Sequence, residues 1–214
     1  LAQVAAPTVL EAFAGAGRVG YRCGYDELEG LAIDKQTERA AMIARNRPQW
    51  EVYQGDAVGL IAGGLGSHRV FTLLDFDPWG DPWPAFVGYW RSRPQPARLV
   101  VTIHDGLPQK LERGGGSQVD VIQQFECVKR VSNDALYRRY PDLVPRMVEE
   151  LTGYAIAGWR EAGTSRLNLN WAAVIVAGSS SAAQGVPGTD AIPSMSRPLR
   201  PAKGASRSEI RSPA

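Results

Sequence analysis

The chain has 214 residues, with 24 Lys plus Arg against 22 Asp plus Glu, a formal net charge of +2, 44% apolar and 21% charged residues. That composition excludes disorder over most of the chain. No apolar run approaches the roughly 18 residues that span a membrane, and Leu1–Pro7 is too short and uncharged for a secretory signal.

Taken in order, the segments alternate strand and helix patterns. Thr8–Phe13 is a short apolar run ending in a Gly-rich turn, which predicts a buried strand. Arg18–Tyr25 reads as a helix with internal glycine, Gly30–Ile33 as a second strand ending at Asp34, and Thr37–Asn46 as a helix that stops before Arg47-Pro48. Glu51–Tyr53 is a third strand, followed by Gly55-Asp56-Ala57 and a short helical segment Ala57–Ile61. Val70–Leu74 and Arg98–Ile103 are the fourth and fifth strands, ending in Asp75-Phe76-Asp77-Pro78-Trp79-Gly80 and His104-Asp105-Gly106. Ser117–Val131 and Pro141–Leu151 carry helical apolar stripes. Tyr154–Trp159 and Leu167–Ala177 are strands joined by a link too short for a parallel crossover, so they pair antiparallel. The expected fold is α/β, a doubly wound sheet, mostly parallel, with helices on both faces and one antiparallel strand.

Residues 179–214 are rich in Ser, Pro, Gly and Ala and hold five basic and two acidic residues, a charge of +3 that leaves −1 for the rest. This predicts a folded domain over 1–178 and a disordered basic tail over 179–214. Cys23 and Cys127 have no metal-type spacing, so no metal is expected. So few cysteines fit a reduced, cytoplasmic setting.

Gly15-x-Gly17-x-x-Gly20 gives a sharp turn that lets a ligand approach the backbone. Asp34 ends the next strand, where a carboxylate accepts hydrogen bonds from ribose hydroxyls. A nicotinamide dinucleotide and S-adenosyl-L-methionine (SAM) both have such a ribose. A dinucleotide also brings an anionic pyrophosphate, whereas SAM brings a cationic amino-acid end that suits the carboxylate of Glu11. The competing reading of Glu11 is a Glu satisfied by backbone or by Arg18. Asp56 reads either as an acceptor for the adenine amine or as a helix N-cap.

Asp77-Pro78-Trp79-Gly80 is the most specific feature. Pro78 holds Asp77 extended, so its side chain and carbonyl offer two acceptors to an amino group. Trp79 offers a face for a heteroaromatic ring, and Gly80 lets that ring approach. Beyond this stop, His104 and Asp105 read as pocket-lining or capping residues. Lys110 and Arg113 read as phosphate contacts, with Arg91 and Arg93 on a solvated face.

Together, Glu11-x-Phe13-x-Gly15-x-Gly17, Asp34, Gly55-Asp56-Ala57 and Asp77-Pro78-Trp79-Gly80 resemble class I SAM-dependent methyltransferases, over about Pro7 to Ala177. The last motif looks like that of amino-group methyltransferases acting on adenine, cytosine or guanine. Asp75-Phe-Asp77-Pro78-Trp79-Gly80-Asp-Pro82 is similar to a stretch of tRNA guanine N2-dimethyltransferases. The resemblance implies strand order 3-2-1-4-5-7-6, with SAM as cofactor. It adds Phe13, Arg18, Lys35, Ala57 and Asp75 to the expected cofactor contacts. It implies transfer to an exocyclic amine of RNA or DNA, with a protein partner or a small-molecule amine as further readings. Two rivals stand beside it. An NAD-dependent oxidoreductase leaves Asp77-Pro78-Trp79-Gly80 idle. A non-catalytic SAM-fold module serves another chain.

Overall fold

The computed structural model describes residues 7–17, 24, 27–78, 80–112, 120–161 and 169–178. Seven strands, β1 (Thr8–Ala12), β2 (Glu29–Asp34), β3 (Glu51–Gln54), β4 (Leu73–Phe76), β5 (Arg98–Asp105), β6 (Tyr154–Glu161) and β7 (Leu169–Ala177), form one sheet. Its order is β3-β2-β1-β4-β5-β7-β6. The pairs from β3 to β5 are parallel, and β7 runs antiparallel to both β5 and β6. Among the described residues five helices accompany it: α1 (Thr37–Asn46), α2 (Ala57–Ala62), α3 (Trp83–Ser92), α4 (Leu107–Glu112) and α5 (Asn133–Thr152). The expected topology and the terminal hairpin are both present. The expected helix Arg18–Tyr25 and the 179–214 tail fall outside the described residues.

Each face of the sheet has its own core. Alternate strand residues Leu10, Ile33, Leu74, Val101 and Ile175 pack with Phe86 and Tyr89 of α3 and Tyr140 and Met147 of α5. On the opposite face Val9, Ala32 and Val52 meet Ala40 and Ile43 of α1 and Trp50. Both clusters follow the period-two alternation of strands and the apolar stripes of the helices.

Three elements depart from the sequence expectation. β4 begins three residues later than Val70, which is about half exposed. This places Asp75 inside the strand and Asp77 just past its end. The segment expected as a helix over Ser117–Val131 is instead a 3-10 turn at Ile122–Gln124 and further turns. Its buried residues Ile122, Phe125 and Val128 recur every three positions, which suits 3-10 geometry better than α. α5 starts two turns before Pro141, capped by Ser132 through Ala135 N–H at 3.3 Å, and carries both Pro141 and Pro145 in its interior. Burial of Leu136 and Tyr140 outweighs the backbone bonds that the prolines remove. Gly153, left-handed at φ 65°, ends it.

Candidate functional site

In an open α/β sheet, ligands lie beyond the carboxyl ends of the strands where the order reverses. Here the reversal falls between β1 and β4. The Gly-rich turn leaves β1 and the Asp77 stop leaves β4, so topology alone brings the two strongest sequence signals to one crevice.

The turn is held by unusual backbone. Gly15 and Gly17 are left-handed, at φ 59° and 72°, which glycine adopts without steric cost. Phe13 also has φ 65°, a conformation that costs a residue with a Cβ roughly 1–2 kcal/mol. Asp34 ties the turn to β2: Oδ2 accepts from Gly15 N–H at 2.7 Å and Oδ1 from Gln36 N–H at 2.8 Å. A carboxylate has about four acceptor positions, so both oxygens keep capacity for ligand hydroxyls.

A cavity of about 460 Å³ opens beside this turn, lined by Phe13, Ile33, Asp34, Lys35, Gln36, Arg39, Gly55, Asp56, Ala57 and Asp77. Six of the expected cofactor or catalytic residues meet there. Gln36 and Arg39 were not foreseen. They lie on the solvent side at the start of α1, within one turn of Lys35, and that proximity was the available signal. Asp56 also caps α2, accepting from Gly59 N–H at 2.9 Å, so the capping reading holds alongside its place in the cavity.

Glu11 has a different setting. It is buried and ion-paired with Arg47, whose second terminal nitrogen donates to the Gly17 carbonyl. The guanidinium also lies 4.6 Å over the Trp50 ring. The cation that meets Glu11 in the structure is thus a residue that follows α1, 36 positions along the chain. Neither Glu11 nor Arg47 lines the cavity. Arg18 lies outside the described residues.

A second cavity, of about 380 Å³, lies on the β4–β5–β7 side and is lined by Asp75, Asp77, Thr102, Ile103, His104, Arg160, Asn170, Trp171 and Ala172. Asp75 is buried in β4 and accepts from the Thr102 hydroxyl at 3.0 Å, so it belongs to this cavity and not to the first, as the late start of β4 requires. Asp77 lines both cavities. Burial raises its carboxyl above the ordinary value, while His104 pulls the other way. His104 Nδ1 lies 3.8 Å from Asp77 Oδ1.

For Asp105 the capping reading holds and the pocket-lining one is corrected. Asp105 is fully buried on the core face, where it accepts from Tyr140 O–H at 2.7 Å and Leu107 N–H at 3.0 Å. Trp83 Nε1 donates in turn to the Tyr140 oxygen. Burial pushes the Asp105 carboxyl up to about 7, and the hydrogen bonds from Tyr140 and Leu107 oppose that rise. It is an internal anchor, not a substrate contact. Strand alternation explains this: His104 faces the cavity, so its neighbour must face the interior. The next residue, Gly106, donates to the Gly80 carbonyl at 2.8 Å. A Cβ on Gly106 would lie 3.0 Å from Gly80 backbone atoms. The loop that ends at Gly80 is therefore clamped from β5.

Arg93 is also corrected. It is buried, stacks 4.6 Å from the Tyr89 ring centroid and donates to the Leu65 carbonyl at 2.9 Å. Arg91 is exposed and donates to Gln124. Lys110 is on α4. Trp79 and Arg113 lie outside the described residues. Among the described residues no cluster of His, Cys, Asp and Glu forms a metal-binding group, and no helix is long and apolar enough to cross a membrane.

No protein-family model matches the chain, and no curated protein sequence matches it. Solved structures do. Trm1 from Pyrococcus horikoshii, determined with S-adenosyl-L-methionine, superposes with TM-score 0.55 at 15% identity, over 81% of this chain and 51% of that one. The chain thus spans about half the length of that protein. The plantazolicin methyltransferase BamL gives TM-score 0.49 at 12% identity, over 80% of this chain and 77% of its own. A 16S rRNA adenine N1-methyltransferase from Catenulisporales acidiphilia gives 0.47 at 14% identity, over 82% and 87%. The likeness is one of fold: the chain shares its α/β architecture with Trm1.

Proposed function

We propose that the chain is a SAM-dependent N-methyltransferase whose acceptor is an exocyclic amine of a nucleic-acid base. The observation that carries this reading is Asp77, the one acidic stop that faces both cavities. A group that joins a cofactor to an acceptor has to stand in such a position.

The first cavity fits SAM by volume and by chemistry. Its size lies within the range of about 300–1,000 Å³ usual for ligand sites. Ile33, Phe13 and Ala57 offer apolar surface, and Asp34, Asp56 and Asp77 offer three carboxylates. Asp34 would hold the ribose hydroxyls and Asp56 with Ala57 the adenine end. The Gly15–Gly17 turn would hold the amino-acid end, with Lys35 at the rim. Three carboxylates against the two cations Lys35 and Arg39 leave the lining net acidic, which suits a cationic ligand better than a pyrophosphate and favours SAM over a nicotinamide dinucleotide. When bound, SAM supplies a methyl group on a sulfonium that is already a good leaving group. What remains for the protein is alignment. The Asp77 carboxylate and its backbone carbonyl accept the two amine hydrogens, and Gly80 is fixed by Gly106. Trp79 is assigned to stacking on the base from its place in the motif. Lys110, Arg113 and the basic 179–214 segment are assigned to phosphate contacts, and the setting to the cytoplasm.

Calorimetric titration with SAM and its demethylated product tests the cofactor. Labelled SAM with separate pools of DNA, tRNA, rRNA and small metabolites tests the acceptor. Label in a nucleoside amine supports the reading, whereas label confined to small metabolites refutes the nucleic-acid part. Asp77→Ala should lower transfer at least about 100-fold while SAM still binds.

A further inference from the structure

We propose that His104 and Asp77 form a carboxylate–imidazole relay that carries away the proton shed by the acceptor amine. The relay rests on the methyltransferase reading and adds a proton exit to it.

The geometry is specific. The two side chains are 3.8 Å apart and 38% and 40% exposed, so the pair reaches both the acceptor cavity and solvent. His104 is set by β5: it shares a face with Thr102, whose hydroxyl bonds Asp75. Directly across the antiparallel pair from His104 is Asn170. Residues opposite one another in this way share a face, with Cβ atoms about 5 Å apart. The Asn170 Oδ1 is buried and has no hydrogen-bond partner among the described residues. Carboxylate, imidazole and amide therefore stand side by side along one wall of the cavity. Among the described residues the other charged groups facing this wall are Asp75 from β4 and the exposed Arg160 from β6.

The chemistry needs such an exit. When the amine lone pair forms the new N–C bond, the C–S bonding pair stays on sulfur, and the nitrogen is left with a positive charge and one hydrogen too many. That hydrogen leaves as a proton along the hydrogen bond to Asp77. A carboxylic acid that kept it would be a weaker acceptor for its amine hydrogen in the next turnover. Through one bridging water, or on closure of the 3.8 Å separation to hydrogen-bond contact, passing the proton to the imidazole regenerates the carboxylate and creates an ion pair beside it. The imidazolium then loses the proton to solvent. No other reactant is required.

The test uses the full chain and two readouts. The chain has two histidines, so ring nitrogen NMR of wild type and His68→Gln identifies His104. In Asp77→Asn the ring-nitrogen resonances of His104 at neutral pH should move, because the carboxylate 3.8 Å away is gone. Resonances that stay where they are in wild type overturn the pairing. The second readout is the pH–rate profile for label transfer into the pool that wild type modifies. His104→Gln should lose about 10–100-fold in rate and change the shape of the profile, with SAM affinity unchanged. An unaltered profile overturns the relay alone. A wild-type chain that binds no SAM overturns the underlying reading and the relay with it.

Discussion

Replacing Arg47 by Leu probes the internal support of the Gly-rich turn. The guanidinium is buried, pairs with buried Glu11, donates to the Gly17 carbonyl and covers the Trp50 ring. Removing one partner of a buried ion pair costs about 3–5 kcal/mol. Depriving a buried carbonyl of a donor costs about 1–3, and losing the contact with the indole about 0.5–2. These costs overlap because a shortened side chain lets neighbours relax, so the expected loss is about 4 kcal/mol. With a urea dependence of about 2–3 kcal/mol per molar, the midpoint falls by about 1.3–2 M. The double variant Glu11→Leu with Arg47→Leu should recover to within about 1 kcal/mol of wild type, since an apolar pair of similar volume carries no desolvation cost. In the single variant Glu11 lacks this cation and gains by taking up a proton, so the deficit should shrink as pH falls. Urea melts at two pH values measure all of this. If the single variant loses less than about 1 kcal/mol, or the double variant is no better than the single, Arg47 is not what makes burial of Glu11 tolerable.

Two further outcomes follow from the clamp on the loop that ends at Gly80. Burial holds the Asp105 carboxyl near 7 against an ordinary 3.8. The folded chain therefore keeps a proton that the unfolded chain has lost between those values, and stability should fall by about 1.4 kcal/mol per pH unit across that window. Above about 7 this contribution is flat, and Asp105→Asn should remove the slope in melts recorded from pH 4 to 8. Gly106→Ala forces a methyl group to 3.0 Å from the Gly80 backbone. It should cost about 1–3 kcal/mol and reduce transfer more than SAM affinity, as paired kinetic and calorimetric measurements would show.

Much of the fold was legible because it rests on local signals. Short apolar runs, the Arg47-Pro48 stop and the short link before β7 marked the elements and the antiparallel hairpin, while strand order came from the family resemblance. Asp34 and Asp56 were legible for the same reason: each sits where a strand ends and a turn begins. What stayed hidden depends on contacts distant in sequence. Nothing near Arg47 marks it as the partner of Glu11, because the pairing exists only once α1 lies on β1 and β2. Asp105 is adjacent to His104 in sequence and opposite in environment. The start of β4 depends on pairing with β1, where Leu73 meets Val9, and not on the apolarity of Val70. The length of α5 depends on burial of Leu136 and Tyr140, which overrides the usual reading of Pro141 as a first-turn residue.

The alternation along β5 has a consequence for how this chain tolerates change. His104 and Asp105 are consecutive, yet one belongs to the solvent-facing cleft and the other to the interior. Deleting or inserting a single residue in the strand would exchange them, moving the imidazole into an apolar interior and leaving Tyr140 without its acceptor. Substitutions along β5 can be absorbed one at a time, but a change of length there is a change of every role at once. Insertions and deletions in descendants of this chain should therefore accumulate in its connecting loops and spare Arg98–Asp105.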